Sequence, residues 1–544
     1  MSDTAPITSE KCLAIHDQAL DPGSAKGARR ALLQALVQAS PQVWLECARA
    51  LVLRRELETA HEVLERAAEL YPASGDLCLG LAGLQWQTSR HEQAEKLLRD
   101  WLSQHAADIS ASFLLARLLF DQGRVRAAAA VVRELFASSP QNVETVIQAV
   151  EMLDDFGCPQ DAIAVCEGAL AGEANDPRLH AYAGMLGIQL GRFQETRAHY
   201  EFALSHAAEA VEWNIPIGLS GLQRYTDPAH PDFTFFREVM AQPGLSDGAR
   251  TSTLFALGKA FDDIAEYALA SRYFREGNSR AGAHRPWARK QWNRMIRARI
   301  SAAPFPWSLP TPADWTPIFV VGVPRSGTTL LAELIARHPQ VCNRGEPGWL
   351  QGQVARLASA PRERREPFEQ AAARYATHLR QDDSDAGWFI DKQPLNLLHV
   401  DLIMACWPNA RIIHCQRHPR DVALSLWSQL FHDSAHNYAC DFADIAAVIR
   451  GCDRLMKHWQ AHFAASICTV RYEELVSQPD TWLERISSWI GLPTPHLQAP
   501  INSDGHAIRT ASAWQARQPV HARSVGHWKN YAAHVPELLG FPPS

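Results

Sequence analysis

No run of about eighteen apolar residues occurs in this chain, so the sequence offers no helix able to cross a bilayer. Its 11 cysteines are odd in number, scattered and free of C-x-x-C pairs. That excludes a disulfide framework and a zinc site of the usual spacing, and favours a reducing compartment. The first twenty residues carry Asp3, Glu10, Lys11 and Asp17 and no apolar core of secretory type, so the expected location is cytoplasmic. An excess of positive charge is also lacking: 53 Lys and Arg against 59 Asp and Glu leave a net −6, which argues against a general nucleic-acid binder. The histidines show no ligand spacing, and no metal is expected. What is present is length and apolar content. At 544 residues and 47% hydrophobic, the chain can fill two or three cores.

The amino-terminal half repeats itself. Ala60, Ala94, Ala128, Ala162 and Thr196 form one column at intervals of 34 residues, and Ala48, Ala82, Ala116, Val150 and Gly184 form another, 12 residues earlier. Turn-forming or polar residues (Arg55, Ser89, Gly123, Gly157, Gly191) stand 5 before the first column, where one helix must stop and the next begin. A 34-residue helix–turn–helix unit with small residues at its internal contact resembles the tetratricopeptide repeat. A further unit fits at residues 255–270, with Gly258 and Ala270 again 12 apart. Between Thr196 and Ala270 lie two periods plus 6 residues, so one unit is irregular, and the register slips in residues 213–243. Such arrays present a groove to a peptide or protein partner; the other reading is that they brace the neighbouring domain or mediate oligomerisation. The sequence specifies no oligomeric state.

A basic helix follows at residues 285–299, read as a solvated face packed beside the next domain, and then four prolines within residues 303–312. The expected organisation is an amino-terminal segment (1–30), a repeat array (31–285), a basic helix with Pro-rich linker (286–316) and an α/β domain (317–544). In the last, short apolar runs at 318–321, 388–390, 411–415 and 467–470 alternate with amphipathic stretches, which predicts a parallel sheet. Arg325, Lys392, Arg417 and Tyr472 each follow one of these runs, at the strand ends where ligands bind in such sheets.

The run Pro317-Ile-Phe-Val-Val-Gly-Val-Pro-Arg325-Ser-Gly-Thr-Thr-Leu-Leu331 reads as a buried strand, a glycine-bearing turn and a helix start, the layout of a phosphate cradle. It lacks the Walker lysine: Thr328 stands in its place, and the cation has moved to Arg325. The loop resembles the 5′-phosphosulfate loop of sulfotransferases, and within them the tyrosylprotein and glycan branch, with Arg-Ser-Gly-Thr-Thr after a strand. In the second signature, Arg411-Ile-Ile-His-Cys-Gln-Arg417-His-Pro-Arg-Asp-Val-Ala-Leu-Ser425, Pro419 keeps His418 out of helical geometry and predicts a helix start near Arg420 or Asp421. Taken alone, Arg417 is a strand-end surface cation, Glu346 an exposed loop carboxylate or helix cap, Lys392 a solvated strand-end lysine and Tyr472 a ring packed under a helix.

The resemblance implies more specific roles. Arg325, Ser326, Gly327, Thr328 and Thr329 would hold the 5′-phosphate end of 3′-phosphoadenosine 5′-phosphosulfate (PAPS), while Arg417 and Ser425 would clamp its 3′-phosphate. Glu346, 21 residues after Arg325, would be the base for the acceptor hydroxyl, although Pro347 departs from the Gly-Glu-Glu form of the animal enzymes. Lys392 and Arg325 would stabilise charge on the leaving oxygen, each by about 3 kcal/mol. Tyr472, Ser512 and His527 would close over the nucleotide, with His527 where a constantly charged residue is the family habit. The fold so implied is an α-solenoid of tetratricopeptide repeats followed by a P-loop-like α/β sulfotransferase domain. The expected function is transfer from PAPS, without a metal, to a hydroxyl on a protein or peptide recruited by the repeats, tyrosine first. A glycan or small-molecule acceptor, a P-loop kinase or NTPase, and a repeat scaffold whose nucleotide domain does not turn over are the alternatives.

Overall fold

The computed structural model describes residues 7–20, 25–138, 142–172, 175–284, 286–381, 384–492 and 520–542. The chain divides into two compact units, Met1–Ala149 and Val150–Ser544, the division falling within the helix Val143–Asp155.

The first unit is built of helix pairs: Ser9–Leu20 with Ala25–Leu36, Pro41–Leu53 with Leu57–Leu70, Gly75–Gln87 with His91–Gln104, and Ile109–Asp121 with Val125–Ser138. Helical pairing thus begins inside the stretch set apart by sequence as an amino-terminal segment. The small-residue columns lie where the paired helices touch, and Ala60, Ala94 and Ala128 are fully buried. The turn column has a conformational cause. Arg55 and Ser89 have φ of 63° and Gly123 of 81°, so each helix ends through a residue in the left-handed region. Only some of the units satisfy that requirement with glycine.

The second unit continues the pairs through Pro159–Ala171, then Pro177–Leu190 with Phe193–His206. Gly184 is required here: a Cβ on it would collide with the ring of Tyr200. The irregular repeat follows. Its first helix shrinks to Ile215–Ser220, and its second is Pro231–Ala241. Carboxylates pin the loop between them. Asp232 accepts the Tyr225 hydroxyl at 2.6 Å and Arg197 Nη2 at 2.9 Å, while Asp263 accepts the Tyr225 amide at 3.0 Å and pairs with Lys259 at 2.6 Å. The last pair, Asp247–Asp263 and Tyr267–His284, restores the pattern; Ala265 at its turn has φ of 65°.

Among the described residues the α/β part carries five parallel strands: β1 Thr316–Gly322, β2 Val341–Asn343, β3 Trp388–Asp391, β4 Arg411–Gln416 and β5 Ile467–Arg471, in the order β2-β3-β1-β4-β5. The central strand is buried on both faces. Ile318 and Val320 pack with Leu331 and Ile413, and Phe319 and Val321 with Tyr375 and Trp407. Strand β2 escaped the sequence reading because Val341-Cys-Asn ends in a polar residue and forms no apolar run. The chain leaves β1 toward β3 and β2 and later returns to β4 on the other side, so the β1/β4 carboxyl ends form the switch point where such sheets bind ligands.

The last repeat pair is continuous with this domain. Phe255, Phe274, Trp427 and Phe319 share one core, and Asn278 Nδ2 donates to the Trp427 carbonyl at 2.7 Å. The basic helix, Arg289–Ser301, packs on the helix Phe442–Phe463: Trp292 Nε1 donates to Ala447 O at 3.2 Å and Arg289 pairs with Asp444. The Pro-rich stretch is no free tether. Trp307 Nε1 donates to Arg362 O at 2.8 Å, and the Leu309 amide donates to Ala405 O at 2.8 Å.

Candidate functional site

The site begins with the turn after β1. Gly322 faces the β4 backbone so closely that a Cβ would stand 2.6 Å from Cys415 O, and Cys415 Sγ in turn donates to Ser326 O at 3.0 Å. Gly327 has φ of 101° and caps the helix Thr328–Ile335; a Cβ there would run into the Tyr472 ring. Thr328 and Thr329, both buried, open that helix without a side-chain cap, and the positive end of its dipole lies at the turn, where it favours an anion. Arg325 is also left-handed, at φ of 72°. A non-glycine residue there costs about 1–2 kcal/mol, strain that the sequence does not announce.

Two guanidinium groups meet at this turn. Arg417, just past β4, donates Nη1 to the Arg325 carbonyl at 3.1 Å and Nη2 to the Ser524 carbonyl at 2.6 Å, with its guanidinium 4.7 Å from the Tyr472 ring centre. Arg325 Nε donates to Ser425 Oγ at 3.0 Å. Ser425, which the resemblance places with Arg417 on a 3′-phosphate, thus also meets Arg325 across the loop. Burial, with the Arg417 charge adding to it, pushes Arg325 down to about 10, which leaves it charged at neutral pH. Arg417 Nε and Ser326 Oγ are buried and make no hydrogen bond among the described residues. Buried polar atoms without partners are costly, and here both lie beside a pair of like charges. An anion with several oxygens fits that chemistry.

The remaining site residues come from β3 and the turn after β2. Arg344 N donates to Ile390 O at 2.9 Å and Lys392 N to Gly345 O at 2.8 Å, which stitches the 343–346 turn to the end of β3. Lys392 is almost wholly buried and forms an ion pair with Glu346, whose side chain is 30% exposed. The carboxylate read as a base and the lysine read as a cation are thus partners. Neighbouring Asp391 is structural: buried, it accepts the Tyr375 hydroxyl and the Gln393 amide, and desolvation raises it to about 7.

The carboxy-terminal segment closes the other side. Tyr472 and Ser524 share a hydroxyl–hydroxyl hydrogen bond of 2.7 Å. Asp421 accepts the amides of Gly526 and Trp528 at 2.7 and 3.0 Å. The helix bearing Asp421 starts at Pro419, one residue before the expected place, because proline suits its first position and His418 Nδ1 accepts the Arg420 amide. His527 is 2.9 Å from Asp262 of the last repeat. Ser512 lies outside the described residues. Asp421 and Ser524 lie inside the second signature and the closing segment, but neither was given a role; an acidic residue in a first helical turn is the signal for Asp421.

Residues 317–496 match the sulfotransferase family model, and residues 51–118 match a tetratricopeptide-repeat model. The carboxy-terminal half carries a sulfotransferase-family domain. A curated Aquifex aeolicus protein, without assigned function, is 23% identical over 92% of this chain and 69% of its own length. The Caenorhabditis briggsae "Putative protein-tyrosine sulfotransferase" is 26% identical over 32% of this chain, which spans 65% of that relative. Among solved structures, the sulfotransferase domain of the Synechococcus PCC 7002 olefin synthase covers 41% of this chain and 90% of itself, at 20% identity and a TM-score of 0.32. The chain therefore combines tetratricopeptide repeats with a sulfotransferase-family domain distantly related to the C. briggsae "Putative protein-tyrosine sulfotransferase", and the anion-fitting turn lies within that domain.

Proposed function

We propose that this protein is a PAPS-dependent sulfotransferase that sulfates a hydroxyl on a protein or peptide, tyrosine first, working in the cytoplasm with its repeats recruiting the acceptor. The observation that carries the reading is the convergence of Arg325 and Arg417 on the turn after β1, with Arg417 Nε and Ser326 Oγ buried and unmatched beside a helix start. Two cations and the positive end of a helix suit phosphate and sulfonate oxygens. In the reaction, the acceptor hydroxyl gives its proton to the Glu346 carboxylate as its oxygen attacks sulfur. The bond from sulfur to the 5′-phosphate oxygen breaks, and its electron pair leaves on that phosphate, facing Arg325 and Lys392.

The Lys392–Glu346 ion pair gives the sequence of events a physical basis. While it stands, the lysine neutralises the base. A phosphosulfate draws Lys392 toward its bridging oxygen and leaves Glu346 to the acceptor. Tyrosine as acceptor is favoured by the C. briggsae relative's name, and repeats of this type support protein–protein contact. Calorimetric titration with 3′-phosphoadenosine 5′-phosphate, beside Arg417→Ala and with Mg·ATP as competitor, tests the nucleotide site. Binding that the variant loses and ATP does not match supports the reading; preference for ATP sinks it. Labelled PAPS with tyrosine peptides, a glycan mixture and phenolic small molecules then sorts the acceptor, and nucleotide binding without transfer to any of them would leave a scaffold.

A further inference from the structure

The last repeat holds the segment that closes the nucleotide site. Asp262, at the end of the helix Asp247–Asp263, takes two side chains from the 520–542 segment: His527 Nε2 at 2.9 Å and the Tyr531 hydroxyl at 2.5 Å. Just ahead of His527, the same segment is anchored to the site itself, through Ser524 O to Arg417 and Ser524 Oγ to Tyr472. Asp421 fastens the stretch between by the Gly526 and Trp528 amides. Gly526 has φ of 71°, so the chain reverses sharply between the two anchor points. Between Ser524 and Tyr531, then, one carboxylate of the repeat array and one arginine of the sulfotransferase domain grip the same short stretch of chain.

We propose that Asp262 is a positioning residue for the nucleotide site, so that the last repeat forms part of the PAPS-binding apparatus as well as of the recruiting array. This rests on the nucleotide reading given above. The physical route is short. Ser524 O orients the Arg417 guanidinium, and the position of Ser524 is fixed by a reverse turn whose far end Asp262 secures. Arg417 freed of that carbonyl would sample other rotamers, and a phosphate would have to order it on binding.

The latch titrates in a defined direction. His527 faces Asp262 and Tyr267 of the repeat, Asp421 of the helix after β4, Arg417 beyond β4, and Asn530 and Tyr531 of its own segment. Although burial works against its charge, the hydrogen bond and charge of Asp262 outweigh it, with Asp421 adding to them, and the imidazole is raised above its ordinary 6.5. The ion pair is therefore intact on the acid side and is lost as pH rises through the raised value.

The test titrates the full chain with 3′-phosphoadenosine 5′-phosphate between about pH 6 and 8.5, spanning the histidine range, for wild type, Asp262→Asn, Tyr531→Phe and Arg417→Ala, with amide hydrogen exchange over residues 520–531. Wild-type affinity is expected to fall as pH rises. Asp262→Asn should weaken binding about fivefold at the acid end, the size of one lost hydrogen bond, flatten the pH response and speed exchange at Gly526 and Trp528. Tyr531→Phe, a milder change should the first variant fold poorly, should weaken binding while leaving the pH response in place. Asp262→Asn binding as wild type does, while Arg417→Ala has lost binding, overturns the proposal. So does weakened binding with the pH response undiminished, which would mean His527 meets the nucleotide directly. Wild-type protein that does not bind the nucleotide at any pH overturns the underlying reading instead.

Discussion

Glu346 and Lys392 hold each other at the carboxyl ends of β2 and β3, and each is described by the other's needs. A lysine 1% exposed requires a counter-charge, and a carboxylate that is to accept a proton should be free of one. Glu346→Gln separates these demands. Transfer is expected to fall about 10²–10⁴-fold, the usual worth of a general base, while affinity for 3′-phosphoadenosine 5′-phosphate holds or improves because an uncharged amide no longer competes for the lysine. The same substitution should lower the thermal midpoint of the protein alone, and nucleotide should restore it, a pairing that rate assays and calorimetry check together. A second contrast concerns two left-handed glycines. Gly327→Ala meets both the φ of 101° and the Tyr472 ring, whereas Gly345→Ala meets only its φ of 69° in open space. The first should abolish nucleotide binding and the second should cost about 1–2 kcal/mol of stability with binding retained, as titration and denaturant unfolding would tell.

Among elements, the turn column shows how far a sequence pattern can be trusted. Arg55, Ser89, Gly123, Gly157 and Gly191 were singled out by spacing alone, and all five adopt positive φ. Where the residue is not glycine, the conformation is held against its preference. Ser89→Gly is expected to stabilise the first unit by about 0.5–1 kcal/mol, the left-handed penalty relieved less the entropy of glycine, and Gly157→Ala to destabilise its turn; thermal unfolding of each variant decides. Four strands were legible because each carries a β-rich apolar run bounded by polar or turn residues. The three-residue β2 was not, and neither was the irregular repeat, whose form depends on Asp232 and Asp263 reaching a tyrosine loop across the fold. The candidate site was legible as a set of residues in order but not as a set of pairings. That Ser425 would bond Arg325, or that Lys392 would bond Glu346, follows from backbone dihedrals and strand ends that spacing does not encode.

For the Val150–Ser544 unit as a whole, pH acts through groups that titrate out of their ordinary range. His378, His399 and His414 are buried and neutral, lowered by desolvation to about 4, 3 and 4 respectively. In the unfolded chain each takes up a proton near its ordinary value of about 6.5, so acidification favours unfolding through protons that the folded state refuses. Asp391 works in the opposite direction. Raised to about 7, it is protonated in the fold while its unfolded counterpart stays ionised down to the usual carboxylate range, so its contribution grows as pH falls from 7 toward that range. Between about pH 6.5 and 4 the two effects overlap, and three histidines outweigh one carboxylate. Near neutrality, above the point where the unfolded histidines begin to charge, the Asp391 gain acts in the same direction as that of His527, whose imidazole is raised above 6.5 by Asp262. Stability is therefore expected to be greatest close to neutrality and to decline steeply below about pH 6. A denaturant midpoint that falls from about pH 7 to about pH 5, and falls less in His414→Gln than in the parent, is the expected result; an unchanged midpoint would mean that these histidines are charged inside the fold.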